Sequence, residues 1–210
     1  MHLPEAFHET RDDALVALMR AYPFATLATA DGAGLEAEHL PLLTMADGSL
    51  RGHVAAGNPL ARADGAAVLA IFHGPDAYVS PNWYPSRYET GREVPTWNYA
   101  VIHLHGHLRV TRDRAWLRAL LEDLTDRHER GLAQPWHMAD APADHIETAL
   151  GAIVGLEIKV ERMTGKFKLS QNHPERNRRG VIEGLRQRDG DHDGALASLM
   201  LQREKDTGAC

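Results

Sequence analysis

The sequence predicts an α+β, mainly antiparallel domain built on a small closed or nearly closed β-barrel. Three observations carry that expectation. Two Asp-Gly dipeptides, Asp31-Gly32 and Asp47-Gly48, join short strand-like segments into a meander. Residues 153–161 alternate cleanly, with Val154, Leu156, Ile158 and Val160 on one face and Glu157, Lys159 and Glu161 on the other. Helical spacing is confined to the two ends and to one long crossover.

The first helix is capped by Thr10, carries Ala14, Leu15, Leu18 and Met19 as one apolar stripe, and stops before Pro23. Strands are expected at 24–29, 35–45 and 50–55, with a short helix at 60–63 after Gly57-Asn58-Pro59. The continuous apolar run 66–72 reads as a strand buried on both faces. Residues 74–98, dense in proline and aromatics, read as an irregular loop that covers the barrel or shapes a ligand site. A long strand at 99–111 leads into an amphipathic helix over 113–130, which presents Trp116, Leu117, Leu120, Leu121 and Leu124. A helix opens after Pro142. The alternating strand that follows runs on, with a break at Gly165, to Ser170. Beyond Pro174 a helix with a weak stripe of Val181, Ile182 and Leu185 is expected, then a linker at 189–193, a short helix at 195–202 and a disordered tail. The domain reading is therefore one domain over 1–190 and a short helix with tail over 191–210.

The 210 residues suffice for one well-buried core. A net charge of −6 lacks the cationic footprint of a nucleic-acid binder and argues against a membrane-surface protein. The single cysteine, Cys210, permits no disulfide within the chain. The N-terminal residues have neither the basic start nor the apolar run of a signal peptide, and no stretch reaches membrane-spanning length. A cytoplasmic location is the expectation.

Phosphate loops, dinucleotide fingerprints, nucleophile elbows, metalloprotease motifs and paired-cysteine zinc motifs are absent from the sequence, and no recognition helix stands out. Three constellations remain. His103, His105 and His107 fall on one face of a strand, where neighbours lie about 6.6 Å apart, so all three reach one metal only if the strand bends; no metal site is assigned. The stretch from His53 to Arg62 places a strand end, the cap Asn58 and a helix start together, a pattern that offers backbone N–H groups and Arg62 to an anion. It is also an ordinary strand-to-helix turn. Lys166, Lys168 and Ser170 share a strand face ahead of Gln171 and Asn172, which suits half of a polar-ligand site or a solvated edge strand.

Read together, these stretches resemble the PaiB family of FMN-binding negative transcriptional regulators. The resemblance runs from Met1 to about Leu185. It rests on His39-Leu40-Pro41-Leu42, Gly52-His53 with Gly57-Asn58-Pro59, Phe72-His73-Gly74-Pro75, Pro95-Thr96-Trp97-Asn98-Tyr99 and Lys168-Leu169-Ser170-Gln171-Asn172. It implies a split β-barrel with flanking helices, similar to pyridoxamine-phosphate oxidase, acting as a homodimer with FMN in the dimer crevice. By that resemblance His39, Leu40 and Pro41 lie under the flavin, and His53, Ala55, Asn58 and Arg62 surround the phosphate. Trp97, Asn98, Lys168, Ser170 and Gln171 come from the lid and the partner chain, and Ser80 and Trp83 approach the ring edge. The arginine- and lysine-rich phosphate clamp of the oxidases is thin here.

Three functions compete at this level. A flavin-dependent transcriptional regulator follows from the family label, although the charge does not support direct DNA contact. An FMN-dependent oxidoreductase acting on a small molecule needs few protein acid–base groups, because the cofactor carries the chemistry. Heme or metal handling is suggested by the 13 histidines.

Overall fold

The computed structural model describes residues 1–31 and 34–207. The strands in chain order are β1 (His8–Glu9), β2 (Phe24–Asp31), β3 (Gly34–Pro41), β4 (Leu43–Thr44), β5 (Leu50–Ala55), β6 (Ala67–Val79), β7 (Thr96–Thr111) and β8 (Ile153–Lys168). The helices are α1 (Asp12–Ala21), α2 (Pro85–Thr90), α3 (Arg114–Glu129), α4 (Ala143–Gly151), α5 (Glu175–Arg188) and α6 (Asp193–Thr207). Single 3-10 turns occupy Pro59–Arg62 and Pro81–Trp83, among others. The strands form one sheet in the order β3-β2-β6-β7-β8-β5-β4, with β1 added to β8. The β2–β3, β2–β6, β4–β5, β5–β8 and β1–β8 pairs are antiparallel.

The chain divides into two compact units. The first comprises Met1–Leu18, His73–Ile102 and residues from Thr164 onward, and the second comprises Met19–Phe72 and His103–Met163. In the second unit, the Asp47-Gly48 turn forms as its chemistry dictates. Gly48 takes φ +82°, Met45 N–H bonds Ser49 O, and Asp47 Oδ1 accepts from Ser49 N–H and Oγ–H. The other hairpin dipeptide includes Gly32, outside the described residues. The expected strand 35–45 is broken into β3 and β4 at Leu42. Pro41 has no N–H to continue a ladder, and Leu42 N–H turns instead to Pro23 O at 2.9 Å. Helix α3 starts where Asp113 accepts hydrogen bonds from the N–H groups of Ala115 and Trp116. Its buried face meets Met138, Ile146 and Leu150 through Leu117, and Leu43 through Leu120 and Leu124.

In the first unit, the region read as an irregular loop is mostly ordered. Strand β6 runs seven residues past Phe72 to Val79, and a 3-10 turn and α2 follow. Pro75 sits inside that strand and is buried. The alternation of buried and half-buried residues along 68–72, after an exposed Ala67, also corrects the expectation of a strand buried on both faces. Gly165 does not break β8. A Cβ there would collide with the Leu15 side chain, so the glycine serves close packing of α1 on the strand. Val181, Ile182 and Leu185 of α5 are fully buried alongside Leu196, Ala197 and Met200 of α6. Helix α6 continues to Thr207, five residues past the expected end, where a disordered tail was expected. Cys210 lies outside the described residues.

Candidate functional site

The expected site residues fall into two groups, one in each unit. In the second unit, Thr26 pairs with His39 and Ala25 with Leu40 across β2 and β3. The exposed His39 ring stacks on Phe24, with centroids 6.5 Å apart, and its Nδ1 lies 3.1 Å from Thr26 Oγ1. Leu40 is buried and Pro41 half-buried. Gly52 on β5 draws this segment and His53 together. A Cβ at Gly52 would sit 2.9 Å from both Pro41 O and Leu42 Cδ2, and 3.2 Å from Leu40 Cδ1. Only glycine permits that approach. His53 follows, half-buried and opposite Gly155, and its burial holds the imidazole below the usual histidine range.

Ala55 ends β5 in an exposed position. Asn58 caps the 3-10 turn through Oδ1, which accepts from Leu60 N–H at 2.9 Å. The backbone donors expected to face an anion here are largely spent. Ala56 N–H bonds Ala152 O, Asn58 N–H bonds Ala55 O, Ala61 N–H bonds Asn58 O and Ala63 N–H bonds Leu60 O, while Pro59 has none. Four residues of 3-10 helix close on themselves, and the remaining cation is the exposed Arg62, which has no ion pair among the described residues.

In the first unit, Trp97 is 54% exposed and meets Tyr78 edge-on at 6.2 Å. A groove of about 360 Å³ beside it is lined by His73, Asp76, Tyr99 and Val101 as well as Trp97. Lys168 donates to Thr96 Oγ1 and, at 2.7 Å, to Trp97 O. Burial, then the charge of Lys166, holds this ammonium below the usual lysine range.

The other residues assigned to the lid are engaged within the chain. Asn98 is fully buried, and its Nδ2 donates to Ser170 Oγ at 2.9 Å. Ser170 occupies the left-handed region at φ 63°. Gln171 folds back so that its Nε2 donates to Phe167 O and its Oε1 accepts from Leu169 N–H. Ser80 caps the 3-10 turn through Asn82 N–H, and Trp83 is wedged against Gly180 and Gly184 with Arg188 over its ring at 5.1 Å. Asn98, Ser170 and Gln171 thus shape the segments that carry Trp97 and Lys168, while Trp83 packs on α5.

Sequence reasoning missed a buried polar cluster behind these segments. Tyr84 stacks on His173 at 4.7 Å, the Ser86 hydroxyl bonds Glu93, and Asn177 Nδ2 donates to Ser86 Oγ at 2.7 Å. The cluster's members are split between 84–93 and 173–177, so no local pattern in the sequence marks them as one group. Of the histidine row, His107 is exposed and pairs with Glu161 at 3.1 Å. No group of three or more His, Cys, Asp or Glu side chains placed to hold a metal occurs among the described residues.

The antiparallel sheet with flanking helices is a split β-barrel. The FAD- and heme-binding protein from Mycobacterium smegmatis superposes with a TM-score of 0.60 at 23% identity, covering 77% of this chain and 73% of that one. Residues 1–162 match the family described as "Putative FMN-binding domain", and the chain belongs to that family. Protease synthase and sporulation protein PAI 2 of Bacillus subtilis is 31% identical over 98% of this chain and 99% of its own length. An uncharacterised protein of Emericella nidulans is 30% identical over 97% of each chain. The relationship to PAI 2 bears out the PaiB resemblance.

Proposed function

We propose that this protein is a homodimeric FMN-binding protein of the PaiB regulatory type, with the flavin held by residues of both protomers. The observation that carries this reading is the pairing of Trp97 and Lys168. A large aromatic side chain is left 54% exposed while a half-buried ammonium fixes the backbone that carries it. Exposed aromatic surface beside a groove is what a flat ring system covers.

The residues fit the cofactor. One protomer offers His53, Asn58 and Arg62, which has no ion pair among the described residues, to the phosphate and ribityl end, with His39 and Pro41 beside them. The other offers Trp97 and Lys168 to the ring. When bound, FMN supplies one- and two-electron redox chemistry. The protein's own groups orient the ring, exclude water through Trp97 and Tyr78, and place the Lys168 cation near it. The regulatory role is what the PaiB resemblance implies, and the relationship to PAI 2 supports that resemblance. With a net charge of −6, the dimer acts there through a protein partner rather than by neutralising phosphates itself.

The test is a titration of the purified protein with FMN, followed by absorbance, together with its mass in solution. A saturable, perturbed flavin band at one FMN per chain on a dimer supports the reading. A monomer, or no binding at tens of micromolar FMN, sinks it.

A further inference from the structure

The second unit carries another groove, of about 480 Å³, that the flavin reading does not use. Arg20 from the last turn of α1, Arg127 from the last turn of α3 and Arg130 just beyond it converge there, over a floor that includes Leu43 and Met45. Cations at helix carboxyl ends are ordinary, and Arg127 performs that service by donating from Nη2 to Arg20 O at 2.9 Å.

Capping accounts for one hydrogen bond. It does not account for three guanidinium groups in one groove without an ion pair among the described residues. Several other arginines are matched, among them Arg51 with Glu157, Arg114 with Glu147 and Arg178 with Glu204. Asp123 lies on the groove but makes no ion pair with Arg127 among the described residues. Burial, then the charges of Arg20 and Arg130, hold Arg127 below the usual guanidinium range. The neighbouring Thr44 hydroxyl is buried and has no hydrogen-bond partner among the described residues. A buried donor left unmatched beside mutually repelling cations is costly, and an anion with several oxygens relieves both costs.

We propose that this groove binds the phosphomonoester of a small organic molecule, with its phosphate on Arg20, Arg127, Arg130 and the Thr44 hydroxyl and its organic part on Leu43 and Met45. Three cations and a hydroxyl suit a dianion with three terminal oxygens better than a carboxylate with two. The volume falls in the usual range for small ligands, roughly 300–1,000 Å³. The Asp123 carboxylate on the rim and the acidic chain as a whole disfavour a polyanion such as nucleic acid.

Calorimetric titration with phenyl phosphate, in the presence and absence of FMN, tests the proposal. Inorganic phosphate and a short DNA duplex serve as comparisons. Expected is saturable binding of phenyl phosphate at one per chain whether or not FMN is present, tighter than inorganic phosphate. Arg127→Gln should weaken it about tenfold, or 1.4 kcal/mol. Arg130→Gln, whose guanidinium makes no intrachain hydrogen bond among the described residues, should weaken it similarly with an unchanged melting temperature. The proposal falls if phenyl phosphate does not bind at millimolar concentration, or if the arginine variants bind it as well as the parent. It also falls if only the duplex binds. If FMN competes with phenyl phosphate and Arg130→Gln loses FMN, the groove is the flavin's own phosphate seat and no second site exists. Failure of FMN to bind at all would overturn the flavin reading and leave this site to be judged on phenyl phosphate alone.

Discussion

The Lys168 ammonium donates a 2.7 Å hydrogen bond to the carbonyl oxygen of Trp97 and a second bond to Thr96 Oγ1. A charged donor on strand β8 thereby fixes the start of strand β7, where the exposed indole projects. The arrangement costs desolvation of the ammonium, seen in its lowered pKa. Lys168→Met keeps much of the aliphatic stem and removes the two bonds. FMN affinity should fall about tenfold, equivalent to 1.4 kcal/mol, while the far-ultraviolet circular dichroism stays that of the parent. Trp97→Ala should have a similar effect. Equal FMN affinity in parent and both variants would remove this segment from the flavin site.

The Trp83–α5 contact makes a separate, purely steric prediction. A Cβ on Gly184 would collide with the Trp83 indole, and one on Gly180 with the Trp83 carbonyl. Gly184→Ala should destabilise the protein by about 1–3 kcal/mol through overpacking and shift the tryptophan emission as the indole leaves its seat. Gly57→Ala is the control, since a Cβ there meets nothing within 4 Å. It should melt with the parent. If Gly184→Ala melts there too, the wedge is looser than its geometry indicates.

These contacts show where the sequence was legible. Elements with strong local chemistry, such as the Asp47-Gly48 turn, the Asp113 cap and the alternating face of Val154, Leu156 and Ile158, form as the residues dictate. The region 74–98 was misread because proline suggests a break. Whether a proline breaks a strand depends on whether its missing N–H is needed, and that is decided by neighbours distant in sequence. Gly165 misled in the same way, since its reason is the Leu15 side chain 150 positions earlier in the chain. At the site, residue types were legible and their jobs were not. Nothing local in Lys-Leu-Ser-Gln-Asn tells that Ser170 and Gln171 hold a turn while Lys168 reaches Trp97.

Glu9 supplies the acid-sensitive element of the first unit. It is only 2% exposed and is bound by Arg11, with Oε2 3.0 Å from Nη2, and by Arg203. Burial acts to raise its pKa, but the hydrogen bonds from Arg11 and the charges of Arg203 and Arg11 outweigh it, so the folded pKa lies below the ordinary glutamate range. The folded state therefore binds this proton less readily than the unfolded one. Its stabilisation is present above the unfolded pKa of about 4.3 and is lost as pH falls through the folded value. Glu9→Gln should cost about 3 kcal/mol at neutral pH, because it leaves Arg11 and Arg203 without their buried counter-charge. It should also flatten the acid limb in urea melts collected from pH 5 downward. An acid limb unchanged in slope would assign the lability to other carboxylates, such as Asp193 beside Arg188.

His53 governs a higher pH window. Its burial lowers the folded pKa, so the unfolded chain takes up the proton first as pH falls. Stability is full above the unfolded histidine value of about 6.5 and declines as pH drops through the folded value. His105 shifts in the same direction, through burial and then Arg162, and contributes a parallel decline. His53→Gln should therefore reduce, and not abolish, the loss of stability between neutral pH and the acid limb of Glu9. The double variant with His105→Gln should reduce it further. If the residues from His53 to Arg62 hold the flavin phosphate, His53→Gln has a second consequence. FMN affinity should change its dependence on pH across this window, because protonation of His53 adds a cation beside the phosphate, whose own second ionisation at about pH 6 remains in the variant. FMN titrations at several pH values on parent and variant measure this directly. A pH dependence that survives His53→Gln intact would place the titrating group elsewhere.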